Sequence, residues 1–133
     1  MNAVVVDTDV VSYLFKGHPT AFQYLPDLKD CTAIISFMTV AELDRWSLEA
    51  KWSEARRQKL REYLERFVVF PFDRQLCAEW AGITVAAKDC GRRIECADAW
   101  IAATAHLYAL PLITHNRADY LGVPGLTIIS HAP

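Results

Sequence analysis

The residues in this chain whose types and spacing could do chemistry are carboxylates. Asp7 and Asp9 close the opening stretch MNAVVVDTD, Glu42 lies in SFMTVAEL, Asp98 in ADAWIAATA and Asp119 in LITHNRADY. Ala3 to Val6 is a short apolar run rich in β-branched residues, which predicts a fully buried strand. Two carboxylates at the exit of such a strand are costly unless a cation or water reaches them. In open α/β sheets that exit is also where ligand crevices form. Asp7 is therefore expected to found an acidic metal pocket to which later segments add acids. Oxygen-only ligands select Mg²⁺ or Mn²⁺ over zinc, and no His–Cys set offers a softer site. Metals held this way activate water and clamp phosphodiesters.

Each acid also has a plainer explanation. Asp7 or Asp9 could cap a helix starting near Val10, with Asp9 the better placed of the two. Thr39-x-x-Glu42 is a capping box. Asp98 falls in the first turn of a helix, where the backbone dipole favours a negative charge, but it shares a face with Ile101, Ala102 and Ala105. Asp119 could cap a single turn before Tyr120. The set is more telling than its members, because Asp7, Glu42 and Asp119 each follow a predicted strand and so fall on one edge of a parallel sheet.

The elements that must position these acids are legible from hydrophobic spacing. A helix is predicted over Val10 to Lys16, ended by Gly17, and another over Ala21 to Lys29, interrupted at Pro26. Cys31 to Ile35 reads as a second strand. The stretch from Thr39 to Arg66 lacks Gly and Pro, and predicts two helices broken near Trp52 and Ser53. Val68 to Phe70 is a third strand. Asp73 then caps a helix presenting Leu76, Cys77, Trp80, Ala81, Thr84 and Ala87 on one face, ended by Gly91. Glu95 to Leu110 predicts a helix apolar nearly all round, hence buried between layers, and ended by Pro111. Leu112 to Thr114 and Leu126 to Ile129 are the fourth and fifth strands. Short apolar strands alternating with helices predict a parallel sheet covered on both faces.

At 133 residues the chain has the length of one domain, residues 1–133, with no repeat or low-complexity linker. An apolar share of 53% against 23% charged predicts a globular protein rather than a disordered one. Cys31, Cys77, Cys90 and Cys96 form no C-x-x-C pair and read as free thiols of a reducing compartment. No segment has the apolar length of a signal peptide or a membrane span, so a cytoplasmic protein is expected. A net charge of −2 argues against a protein that coats DNA, while leaving room for a nuclease with a local basic rim.

VVVDTDVVSYL, SFMTVAEL, ADAWIAATA and LITHNRADY, in that order, resemble the four motif regions of PIN-domain endoribonucleases. More narrowly they resemble the toxin subunit of VapBC-type toxin–antitoxin pairs. The resemblance runs from Ala3 to Ile129. It implies a single α/β domain with a five-stranded parallel sheet of order 3-2-1-4-5 between helices. It also implies metal-assisted hydrolysis of RNA leaving 5′-phosphate and 3′-hydroxyl ends. The family's metal-binding acids fall on Asp7, Glu42, Asp98 and Asp119. Asp7 and Asp98 would be the primary Mg²⁺ ligands (Mn²⁺ is an alternative ion). Glu42 would bind metal or orient the attacking water, and Asp119 would complete the pocket or hold a second ion. Thr8, Thr114 and Asn116 match the polar positions that steady the acids or metal water.

Lys88, Arg92 and Arg93 are candidates for RNA contact. The run Arg56, Arg57, Lys59, Arg61 reads better as a solvated face paired with Glu54, Glu62 and Glu65. The resemblance further implies a homodimer silenced by a small antitoxin, which would insert a basic side chain into the pocket and lay a helix in an apolar groove. An exposed Trp46–Trp52 region is expected to form part of that surface. Two departures from the family stand out. Asp44-Arg45-Trp46 follows the motif glutamate where small residues are frequent, and Tyr120 stands where Phe is common, a change read here as minor.

Three other readings compete. In a haloacid-dehalogenase-type phosphatase, Asp7 would be the nucleophile and Asp9 the general acid, with AIIS as its second motif. Asp98 lies inside a helical segment rather than after an apolar strand, as that reading requires, and the chain is short for that family. A receiver-like signalling domain could use Asp73 and Thr114 but needs a lysine after strand five, where this chain ends IISHAP. An inactive PIN-like binding module is disfavoured by the presence of all four acids.

Overall fold

The apolar run after the N-terminus becomes β1, Asn2–Val6, the middle strand of a five-stranded sheet in a computed structural model that describes residues 2–133. β2 (Cys31–Ser36), β3 (Val68–Phe70), β4 (Leu112–Ile113) and β5 (Ile128–Ile129) complete it in the order β3-β2-β1-β4-β5, every pair parallel. This is the order the resemblance implied. The register sets Val5 beside Ile34 on one side and Leu112 on the other.

Alternate residues of the central strands feed two cores, as the strand's twofold side-chain alternation requires. Val5, Ile34 and Leu112 join Leu76, Ile83 and Ile101 on one face. Val4, Val6, Ile35 and Ile113 join Val10, Val11, Leu43 and Leu60 on the other. The first face is covered by α5 (Arg74–Asp89) and α6 (Cys96–Leu107). The second is covered by α1 (Thr8–Lys16), α3 (Phe37–Glu49) and α4 (Glu54–Leu64), with a short α2 (Leu25–Leu28) at its margin. The edge strand β3 is less covered than a buried strand, with Val68 47% and Val69 43% exposed.

Several boundaries differ from the sequence expectation. α1 begins at Thr8, not Val10, and its cap is Asp7 rather than Asp9. Residues Pro19–Tyr24 form a 3₁₀ helix, and Pro26 sits at the start of α2 instead of interrupting a longer helix, because a missing N–H costs nothing there. The Thr39–Glu42 capping box does not exist. Ser36 caps α3 by accepting from the Met38 N–H at 3.0 Å, three residues earlier, and this frees Glu42 for another use. The break between α3 and α4 falls where expected, with Lys51 at φ +56° and Ser53 capping α4. α6 stops at Leu107, short of Pro111, since Ala109 turns left-handed at φ +54°. On α5, Ala81 faces solvent rather than sharing the buried face.

The arginine run of α4 is paired as expected, Arg61 with Glu54 at 2.6 Å and Arg57 with Glu54 at 3.4 Å. All four cysteines are free. Among the described residues no helix is long and apolar enough to cross a membrane.

Candidate active site

The chain leaves β1 toward one side of the sheet to build β2 and β3, then returns to place β4 on the other side. Between the carboxyl ends of β1 and β4 the connections diverge, and a crevice opens there. The Asp7 N–H donates to the Ile113 carbonyl at 2.8 Å, so strand pairing carries Asp7 to the end of β4.

Asp7 is only 5% exposed, yet every part of its carboxylate is satisfied. Oδ1 accepts from the Thr8 N–H at 2.7 Å. Oδ2 accepts from the Thr114 hydroxyl at 2.7 Å and from the Tyr120 hydroxyl at 2.8 Å. Burial raises its pKa, the hydrogen bonds from Thr114, Tyr120 and Thr8 oppose the rise, and the Asp119 charge adds to it. The Tyr120 hydroxyl is pushed upward by its own burial and then by Asp7, so it remains a donor. Tyr120 in place of Phe is therefore not minor, because it adds a direct contact to the most buried acid.

Glu42 reaches the crevice from the second turn of α3. Its Oε1 accepts from the Thr8 hydroxyl at 2.8 Å, and Thr39 lies 2.9 Å from the same hydroxyl. Since Thr8 gives its single hydrogen to the carboxylate, Thr39 is the donor in that pair. Burial, and secondarily the Asp7 charge, raises the Glu42 pKa. Asp98 enters from the first turn of α6 and accepts no hydrogen bond among the described residues. Burial pushes its pKa up to about 7, helped by the charges of Asp7, Asp119 and Glu42. Asp119, in the 3₁₀ turn Arg117–Tyr120, accepts from the Asn116 side-chain amide at 2.9 Å. The Asn116 backbone N–H donates to the Thr114 hydroxyl at 3.1 Å, which chains Asn116 through Thr114 to Asp7.

Asp7, Glu42, Asp98 and Asp119 line one cavity of about 520 Å³ with Thr8 and Asn116, and Thr114 stands behind Asp7. Lys88, Arg92 and Arg93 are exposed and outside the cavity lining. The sequence reading underused Asp9, which also lines the cavity. Its Oδ2 accepts from the His115 N–H at 3.1 Å and its Oδ1 from the Val10 N–H at 2.7 Å. Burial and the Asp7 charge push its pKa up to about 7. Ser12, Tyr13 and Lys16 complete the wall on α1, and Leu43 and Trp46 on α3. The signal was present in the spacing, since 9, 12, 13 and 16 form one helical stripe. The Trp46–Trp52 region is not freely exposed: both rings lie half-buried against the chain's own second core and meet each other at 4.5 Å.

Five acids on one wall, several of them losing hydration and raised in pKa, form a site short of positive charge. The donor set is oxygen throughout, which fits a hard divalent cation. Among the described residues no three acids, imidazoles or thiols are gathered into a ready coordination shell. Mg²⁺ does not need one, because it keeps several waters and takes one or two carboxylates together with substrate phosphates.

Comparison with known proteins agrees with this fold. The family model described as PIN domain matches residues 4–120, and the chain belongs to that family. Within it, the chain is 32% identical to the VapC ribonuclease Y4jK of Sinorhizobium fredii, over 96% of each. The structure of VapBC2 from Rickettsia felis bound to a promoter DNA fragment superimposes with a TM-score of 0.84 at 24% identity, covering 96% of this chain and 98% of that one. A toxin–antitoxin complex from Klebsiella pneumoniae aligns at a TM-score of 0.76 and 26% identity over 96% of each chain. This is a PIN protein of the VapC type. Nothing in the comparisons favours the haloacid-dehalogenase phosphatase, and PIN membership replaces both it and the receiver reading.

Proposed function

We propose that this chain is a metal-dependent endoribonuclease and the toxin half of a toxin–antitoxin pair. The observation that carries the reading is that Asp7, Glu42, Asp98 and Asp119, from four separate segments, line one cavity at the carboxyl edge of the sheet. The ribonuclease relative and the toxin–antitoxin complex support the class of activity and the kind of partner.

Asp7 and Asp98 would hold Mg²⁺, with Asp119 completing the pocket and Mn²⁺ as an alternative ion. The bound ion would supply charge neutralisation at the scissile phosphate and lower the pKa of water. The protein's own part is positioning. Thr114 and Tyr120 fix the plane of the Asp7 carboxylate, Asn116 steadies Asp119, and Thr8 aims Glu42. Glu42, raised in pKa, orients the attacking water and takes its proton. The water oxygen bonds to phosphorus as the P–O3′ bond breaks, and the departing O3′ takes a proton from solvent water, leaving a 5′-phosphate and a 3′-hydroxyl. Lys88, Arg92 and Arg93 would touch RNA outside the cavity. A small antitoxin would block the cavity with a basic side chain, and the toxin would act in the cytoplasm as a homodimer.

The test is incubation of the purified chain with structured RNA, with Mg²⁺ or with chelator, beside Asp98→Asn. Cleavage is expected only with the metal and only in the unsubstituted chain. Equal cleavage by both proteins, or RNA left intact under every condition, would sink the proposal.

A further inference from the structure

The cavity extends beyond the acids. From Asp9 it continues between α1 and α3, walled by Ser12, Tyr13 and Lys16 on one side and Trp46 on the other. Lys16 is the one cation among the described residues that line it, and five carboxylates line the same space. Yet Lys16 makes no ion pair among the described residues. Its ammonium lies 4.4 Å from the centroid of the Trp46 ring instead. That ring meets Trp52 edge-on, with centroids 4.5 Å apart, and Trp52 in turn lies beneath the Arg56 guanidinium at 4.0 Å and beside Phe15. A lysine in the last turn of α1 gains from the helix dipole, which accounts for a positive charge there. The dipole does not account for a braced aromatic face beneath the charge. The Ser12 hydroxyl, one turn back on the same stripe, has no partner among the described residues.

Resting on the ribonuclease reading above, we infer that Lys16, held by Trp46, is a phosphate-anchoring subsite for the single RNA strand that runs through the acidic cavity, with Ser12 donating beside it. The separation fits a strand rather than a lone anion. Thr8 to Lys16 spans eight residues of helix, about 12 Å along the axis, so a phosphate at Lys16 belongs to a linkage further along the strand than the scissile one. A cation at that distance offsets the repulsion the acids exert on incoming RNA without neutralising the acids. Electrostatic grooves that track a strand in this way are the usual means of holding single-stranded nucleic acid. A tryptophan beneath the ammonium limits its freedom and keeps it from collapsing onto Asp9 or Glu42.

The experiment measures binding and cleavage of a mixed-sequence single-stranded oligoribonucleotide by the wild type, Lys16→Ala, Lys16→Arg and Trp46→Phe, with Ca²⁺ replacing Mg²⁺ for binding. Lys16→Ala is expected to raise KM several-fold with kcat little changed, and to reduce the slope of log affinity against log salt by about 0.7, one phosphate contact on a single strand. Lys16→Arg restores both, and Trp46→Phe, which keeps a ring beneath the ammonium, falls between. Oligonucleotides shortened from each end bring the wild type down to the Lys16→Ala level once the anchored phosphate is removed. If the wild type cleaves RNA but Lys16→Ala leaves KM and salt slope unchanged, the subsite is overturned while the nuclease stands, and the groove belongs to a protein partner. If Lys16→Ala lowers kcat alone, the subsite is likewise overturned. If the wild type neither binds nor cleaves the RNA, both readings fall.

Discussion

Asp9 and Asp98 hold their protons up to about 7, against an ordinary value of 3.8, because the fold strips water from them and sets other acids nearby. A carboxyl that binds its proton more tightly folded than unfolded stabilises the fold fully below the unfolded pKa. That stabilisation is lost as pH rises through the folded pKa. The metal-free chain is therefore expected to lose stability between about pH 4 and pH 7, the reverse of the usual trend for ion-paired acids. Thermal melts in chelator should show Tm falling across that window. Asp98→Asn should raise Tm at pH 8 by a few degrees, the change that roughly 1 kcal/mol produces in a domain of this size. Mg²⁺ should raise Tm of the unsubstituted chain more at pH 8 than at pH 5. A Tm that climbs with pH in chelator would contradict this account of the acids. The identities of Asp7, Glu42, Asp98 and Asp119 were readable from the chain, but their proton affinities were not, since these come from burial and neighbours far apart in sequence.

Helices deliver the acids, and their ends decide where each one points. Thr39-x-x-Glu42 has the pattern of a capping box, but Ser36 caps α3 instead, so Thr39 and Glu42 turn inward to Thr8. Local pattern could not separate the two, because Ser36 and Thr39 are both competent caps three residues apart. The turn after the 3₁₀ segment that carries Asp119 is pressed against the loop before α6. A Cβ at Gly122 would stand 2.2 Å from the Arg92 carbonyl oxygen and 2.9 Å from the Ala87 Cβ. Gly122→Ala is expected to cost about 1–3 kcal/mol as backbone moves apart. Gly82, in the middle of α5, meets nothing within 4 Å, and Gly82→Ala should stabilise by about 1 kcal/mol. Denaturant titration of the two variants checks both signs, and equal effects would refute the packing argument at Gly122.

The molecule as a whole is tied together behind the site by Tyr24. Its buried hydroxyl lies 2.5 Å from His115 Nδ1 and 3.3 Å from the Thr114 carbonyl, and it accepts from the His131 N–H at 3.0 Å. His131 also pairs with Asp27 at 2.6 Å. One phenol thus joins the 3₁₀ segment before α2, the exit of β4 and the last residues of the chain. Tyr24→Phe is expected to cost roughly 1 kcal/mol and to speed hydrogen exchange at the His131 amide. Unchanged exchange there would show that the tail is held by other contacts. The ring contact of His115 with Tyr24 and its N–H bond to Asp9 make it a link between this tie and the cavity.

The order of apolar strands and helices, and the acids at their junctions, sufficed to set out the α/β class and the acidic edge, because hydrophobic period and strand exit are local properties of the chain. The resemblance of four short motifs added the 3-2-1-4-5 order. The structure alone brought Asp9 and Tyr120 onto the buried acids and stretched the cavity toward Lys16 and Trp46. These depend on how α1, α3 and the β4 exit pack against one another, and contacts between residues thirty to more than a hundred positions apart leave no periodic trace in sequence.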